Sequence, residues 1–216
     1  MRVKVCGLTR SVDVERAVRL GATHLGFVLA PESPRAVSAG WVGAVVRTLP
    51  SHVTPVLVFR DASDHAVLSA ARESGVVRVQ LHRHRPGQVV RLTAAGLVVH
   101  LALDAELVVD LTSLGATLAT PVVLDHGGGG SGRSFDWQRL APQAPEHVFI
   151  AGGLTPDNVS ELLRFQPWGL DVSSGLERSP GIKDAAKLQA FFRATRANRT
   201  GQSGQAVRVS RPGVSS

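Results

Sequence analysis

Short apolar runs, many of them β-branched, recur along the chain at 3–6, 24–29, 54–59, 76–81, 97–101, 121–124, 147–151 and 168–172. Each has the length of a strand, and their continuous apolar character suits burial on both faces. Helical spacing fills the gaps between them. Val14, Ala17 and Val18 fall at i, i+3, i+4 after the capping candidates Thr9 and Ser11, and Gly21 supplies a stop. Val42, Val45 and Val46 repeat the spacing after Ser38. Thr155-Pro156 reads as a cap followed by proline at the first helical position. A helix over 183–196, with Ala186, Leu188, Phe191 and Phe192, closes the series. Eight strand–helix units with no change of composition predict an α/β protein, a single (β/α)8 TIM barrel. A doubly wound open sheet is the alternative, but eight units favour closure. The stretch 102–120 is the least patterned and reads as a strand end, a helix and a connection.

Composition narrows the picture. The chain has 216 residues and is 44% hydrophobic, enough for one sizeable core over 1–196. No run of about 18 apolar residues exists, so no membrane span is expected. The opening Met1-Arg2-Val3-Lys4-Val5-Cys6 reads as a strand rather than a targeting segment, which predicts a cytoplasmic protein. Residues 197–216 are rich in Gly, Ser, Gln and Arg and read as a disordered basic tail. Three of the seven excess positive charges lie there, on Arg199, Arg208 and Arg211. The mild remainder suits a small anionic partner. Aromatic content is 5% and no basic stripe is interleaved with aromatics, so no nucleic acid is expected.

In such barrels the chemistry lies at the C-terminal strand ends and the loops beyond them. The loops after strands seven and eight carry Gly152-Gly153 and Ser174-Gly175. Either pair alone suits a plain turn. Together, at the two ends where barrels hold phosphate, they predict a phosphate site made of backbone N–H groups. Arg35 follows the stiff pair Ser33-Pro34 and offers a planar fork for a carboxylate. Cys6 and Asp125, after strands one and six, form a candidate acid–base pair across the mouth. The competing readings are a buried core thiol and a loop-capping aspartate. His82 and Asp171 are assigned to the substrate-lining wall, Asp171 alternatively to a structural acceptor inside the barrel. Around His82 and His126 there is no Cys, Asp or Glu at ligand spacing, so no metal is expected. The glycine run 127–130 reads as an active-site loop.

These segments resemble the phosphoribosylanthranilate isomerase family. The resemblance is carried by Lys4-Val5-Cys6-Gly7-Leu8-Thr9, by Leu25-Gly26-Phe27-Val28 with Ser33-Pro34-Arg35-Ala36-Val37-Ser38, and by Val79-Gln80-Leu81-His82. It continues through Leu124-Asp125 with Phe135-Asp136-Trp137, through Ala151-Gly152-Gly153-Leu154-Thr155-Pro156-Asp157-Asn158-Val159, and through Asp171-Val172-Ser173-Ser174-Gly175-Leu176-Glu177 with Pro180-Gly181-Ile182-Lys183-Asp184. The resemblance implies that Cys6 is the general base and Asp125 the general acid. It further implies that Arg35 holds the anthranilate carboxylate and that Gly152, Gly153, Ser174 and Gly175 hold the phosphate. The implied Amadori rearrangement of a small phosphorylated substrate involves no redox change and calls for no cofactor. It also needs Asp125 protonated and a Cys6 thiol with a lowered pKa, for which a nearby helix N-terminus is a candidate cause. A histidine-pathway or dual-substrate isomerase and a non-catalytic phosphate-binding barrel are the alternatives, and the protein is expected to be a monomer or homodimer. One departure is Arg83, where the family usually has glycine after the fourth-strand histidine.

Overall fold

A computed structural model describes residues 1–107, 114–125, 136–140 and 145–202 of the chain. The tail beyond 202, the 127–130 glycine run, His126 and Phe135 lie outside the described residues. Eight strands run in parallel: β1 (Arg2–Cys6), β2 (His24–Val28), β3 (Thr54–Arg60), β4 (Arg78–His82), β5 (Val98–Asp104), β6 (Val122–Asp125), β7 (Val148–Ile150) and β8 (Gly169–Val172). They pair in sequence order, and β8 returns to β1, with Lys4 opposite Asp171. The closed barrel excludes the open sheet.

Helices α1 (Ser11–Leu20), α2 (Ala39–Val46), α3 (Asp64–Ser74) and α4 (Gln88–Ala94) follow the first four strands. A short helix α5 (Val159–Leu162) follows β7. A small hairpin, β9 (Glu177–Ser179) with β10 (Ile182–Lys183), precedes the long α6 (Ala185–Gln202). Two expectations shift here. The last helix begins at Ala185 rather than 183, because Asp184 accepts bonds from the Ala186 and Lys187 N–H groups at 2.8 and 2.9 Å and starts the helix there. Its backbone then runs six residues past the boundary drawn at 196.

Local signals explain most of these elements. Ser38 and Ser63 cap α2 and α3, each accepting a backbone N–H bond at 3.2 Å. Gly21 takes the left-handed conformation that ends α1. Neither Thr9 nor Ser11 caps α1; Arg10 occupies that position, and the Thr9 hydroxyl is spent on the Gly181 carbonyl. Thr155-Pro156 likewise opens a turn, not a helix. Asn158 takes the Thr155 N–H and donates to the Gly153 carbonyl, both at 2.8 Å, and the helix starts after it.

The strands bury two different layers. Val5, Leu25, Leu57, Val79, Val99, Leu124, Ile150 and Leu170 are fully buried, one from each strand, and join one apolar cluster with the helix faces. The alternate positions point into the barrel. There the strands place Lys4, Gln80, His100 and Asp171 together with Phe149 and Val123. The polar side chains that interrupt the apolar runs are thus the interior layer beneath the mouth.

Candidate active site

The C-terminal strand ends open on a cavity of about 270 Å³. Every site residue expected from the sequence lines it: Cys6, Arg35, His82, Asp125, Gly152, Gly153, Asp171, Ser174 and Gly175.

Cys6 ends β1 and is nearly buried. It pairs with Gly26 of β2, where a Cβ would lie 2.6 Å from the Cys6 sulfur. Only glycine at 26 leaves the thiol its place. Burial pushes the Cys6 thiol above its ordinary value, and Lys4, the next largest influence, pulls it back incompletely. This reverses the expectation of a lowered thiol. Desolvation outweighs the neighbouring cations, and those cations are Lys4 and Lys183 rather than a helix N-terminus.

Asp125 ends β6 across the barrel from β1, and its carboxyl faces the same cavity. Its strand end is held on both sides. The Ala105 N–H donates to the Asp125 carbonyl, and the Ala151 N–H to the Leu124 carbonyl, both at 2.7 Å.

Arg35 lies in the loop between β2 and α2. Its Nε and one terminal nitrogen grip both oxygens of Glu177 at 2.9 and 2.7 Å. That bond uses two of the five guanidinium N–H donors and leaves the other edge of the fork for a ligand. Lys183 donates to the same Glu177 at 2.8 Å and to the Ser173 carbonyl at 3.1 Å. Burial raises the Glu177 carboxyl, but its bonds to Arg35 and the Lys183 charge bring it below the usual range.

Gly152 and Gly153 follow β7, and Ser174 and Gly175 open a short helical turn after β8. A helix's first turn has backbone N–H groups without intrahelical partners, which suits an anion. A Cβ on Gly175 would lie 1.9 Å from the Leu154 carbonyl oxygen. The β8 loop therefore rests directly on the β7 loop, and the two glycine segments form one rim.

His82 ends β4 with its Nε2 2.9 Å from the Gln80 amide nitrogen. Burial, then Lys4 and Arg60, lower its pKa to about 4. Neutral at physiological pH, it is a polar wall and not a proton carrier between pH 6 and 8. His24 is lowered to about 4 by burial and the charges of Lys4, Arg78 and Arg2, and buried His100 is lowered well below its ordinary value. The unfolded chain protonates these groups first. Their contribution is therefore complete above about pH 6.5 and is lost as pH falls toward 4, at up to about 1.4 kcal/mol per pH unit for each histidine. Urea midpoints measured at pH 7.5, 5.5 and 4.5 should fall steadily; a constant midpoint would show that the histidines protonate inside the fold.

The next residue, Arg83, has φ +55°, in the left-handed region. A side chain there costs about 1–2 kcal/mol relative to glycine. After the entropy that glycine loses on folding, Arg83→Gly should stabilise by about 0.5–1 kcal/mol in urea unfolding. Loss of stability would mean that the arginine's contacts outweigh its strain.

Sequence reasoning missed four residues that build this site: Lys4, Gly26, Glu177 and Lys183. Lys4 was visible as a charge in the middle of an apolar strand. Nothing in the spacing of Glu177 and Lys183 announces that they meet Arg35. Among the described residues, no group of three or more His, Cys, Asp or Glu is placed to hold a metal ion. No helix among them is long and apolar enough to cross a membrane.

A closed parallel barrel with a polar cavity at its C-terminal mouth defines a (β/α)8-barrel enzyme. Residues 3–194 match the family described as N-(5'-phosphoribosyl)anthranilate (PRA) isomerase. The chain is 38% identical over 199 residues to the N-(5'-phosphoribosyl)anthranilate isomerase of Nitrosococcus oceani, covering 89% of this chain and 96% of that one. It superposes on the crystal structure of the phosphoribosylanthranilate isomerase of Thermus thermophilus with TM-score 0.79 and 33% identity, over 91% of this chain and 99% of that one. A second isomerase, in complex with reduced 1-(o-carboxyphenylamino)-1-deoxyribulose 5-phosphate, matches with TM-score 0.76 and 29% identity over the same shares. The chain belongs to the phosphoribosylanthranilate isomerase family.

Proposed function

We propose that this chain converts N-(5-phosphoribosyl)anthranilate into 1-(2-carboxyphenylamino)-1-deoxyribulose 5-phosphate, the isomerase step of tryptophan biosynthesis, and that Cys6 and Asp125 carry the proton transfers. The observation that carries this reading is the shared cavity. A thiol from β1 and a carboxyl from β6 face it beside a rim of glycine backbone. Asp125, as the acid, gives its proton to the furanose ring oxygen, and the ring opens to an iminium. Cys6, as thiolate, takes the proton from C2′. The resulting enolamine relaxes to the ketone. The backbone N–H groups of Gly152, Gly153, Ser174 and Gly175 anchor the phosphate. The free edge of the Arg35 fork takes the anthranilate carboxylate. His82 and Asp171 line the substrate; one Asp171 oxygen has no partner among the described residues and suits a ribose hydroxyl.

All these groups come from one chain within residues 1–196, so a monomer or a homodimer can each work, in the cytoplasm and without a cofactor. Arg35→Ala should raise KM about tenfold or more with a smaller change in kcat, measured by steady-state kinetics. A loss confined to kcat would remove the carboxylate role. The reading as a whole is tested by mixing the purified protein with freshly made phosphoribosylanthranilate and following its fluorescence. Enzyme-dependent loss is expected; a signal that decays no faster than in buffer contradicts it.

A further inference from the structure

We propose that Lys4 is a positioning residue for the reaction, its buried ammonium clamped by Asp171 and serving as the counter-charge that favours the thiolate form of Cys6 against the cost of its burial. The inference rests on Cys6 being the base proposed above. Lys4 is fully buried in the centre of β1, and its ammonium lies 2.7 Å from Asp171. A buried ion pair gains little stability over an apolar pair of similar size. Stability alone therefore does not account for a lysine at this position. Strand alternation puts Lys4 and Cys6 on the same interior face, with Val5 turned toward the helices. Gly26 of β2, having no Cβ, leaves the sulfur its place over that face.

The charges around the thiol show what it balances. Lys4 faces it from β1, Asp171 from β8, Lys183 from β10 and Arg35 from the loop after β2, the last two sharing Glu177. His24 on β2 and His82 on β4 are neutral. Asp125 on β6 is protonated in the proposed mechanism. Three cations thus meet two carboxylates, and the surplus positive charge favours a Cys6 thiolate, which burial opposes. Its proton leaves to solvent through the pocket mouth. Within this group Lys4 pulls the thiol down most strongly and Asp171 pushes it up.

The test needs no substrate. The rate of Cys6 alkylation by iodoacetamide, the chain having this one cysteine, is followed against pH. Lys4→Met should move the inflection up by about one pH unit or more, a tenfold slower reaction at any pH below it. Asp171→Asn should move it down, because Lys4 is then left to the sulfur alone. A side chain that only supports the fold would not shift the thiol in opposite directions. In the same variants, kcat/KM of Lys4→Met should recover toward wild type as pH rises. An unmoved inflection in Lys4→Met, or one unmoved or raised in Asp171→Asn, overturns the proposal. If Lys4→Met does not fold, Asp171→Asn decides alone. Opposite shifts in the two variants, together with a wild-type chain that fails to turn over phosphoribosylanthranilate, would sink the functional reading and leave the coupling standing.

Discussion

Cys6→Ala should lower kcat about a thousandfold while KM changes only a few-fold, and Asp125→Asn should do the same. A positioned general acid or base contributes about 10²–10⁴ in rate. Each of these side chains is proposed to act on the reacting atoms rather than on the anchoring groups of the substrate, so its removal acts on kcat. The alanine leaves a small space beside Gly26, where packing is already close, and the asparagine is nearly isosteric with aspartate, so both variants should fold. Because each proton transfer is useless without the other, the double variant should be little slower than either single one. Steady-state kinetics with each variant checks this. Turnover within a few-fold of wild type in either single variant removes that residue from the mechanism.

Gly175→Ala should raise KM at least about tenfold and destabilise the fold by about 2–3 kcal/mol. The new methyl would lie 1.9 Å from the Leu154 carbonyl oxygen and 2.9 Å from its carbon. Both are backbone atoms, so no side chain can swing aside. The β8 loop must lift from the β7 loop, which parts Gly175 from Gly152 and Gly153. Inorganic phosphate, tested as a competitive inhibitor, should lose affinity in parallel with the substrate. An unchanged inhibition constant would place the phosphate away from this rim.

The barrel was legible because eight apolar runs of strand length each put one wholly buried residue, from Val5 to Leu170, against the helices. The positions of the site residues followed from the rule that chemistry sits at strand ends, which located Cys6, Asp125 and both glycine pairs. The polar interior was harder to read. Lys4, Gln80, His100 and Asp171 interrupt otherwise apolar runs, and only the register of the closed barrel brings Lys4 opposite Asp171. Glu177 and Lys183 meet Arg35 across about 140 residues of sequence, through a hairpin too short to have a pattern. Thr9 and Thr155-Pro156 have cap composition, but tertiary partners claimed them: Gly181 for the one, Asn158 for the other. The direction of the Cys6 shift was misjudged for a related reason, since burial beneath a barrel mouth is invisible in a linear motif.

The most direct test is the structure of this protein with reduced 1-(o-carboxyphenylamino)-1-deoxyribulose 5-phosphate bound. The phosphate should rest on the backbone of residues 152–153 and 174–175, with the sulfur of Cys6 against C2′ and the Asp125 carboxyl against the oxygen that left the ring. A ligand bound with its phosphate elsewhere, or with C2′ out of reach of the sulfur, would contradict the account.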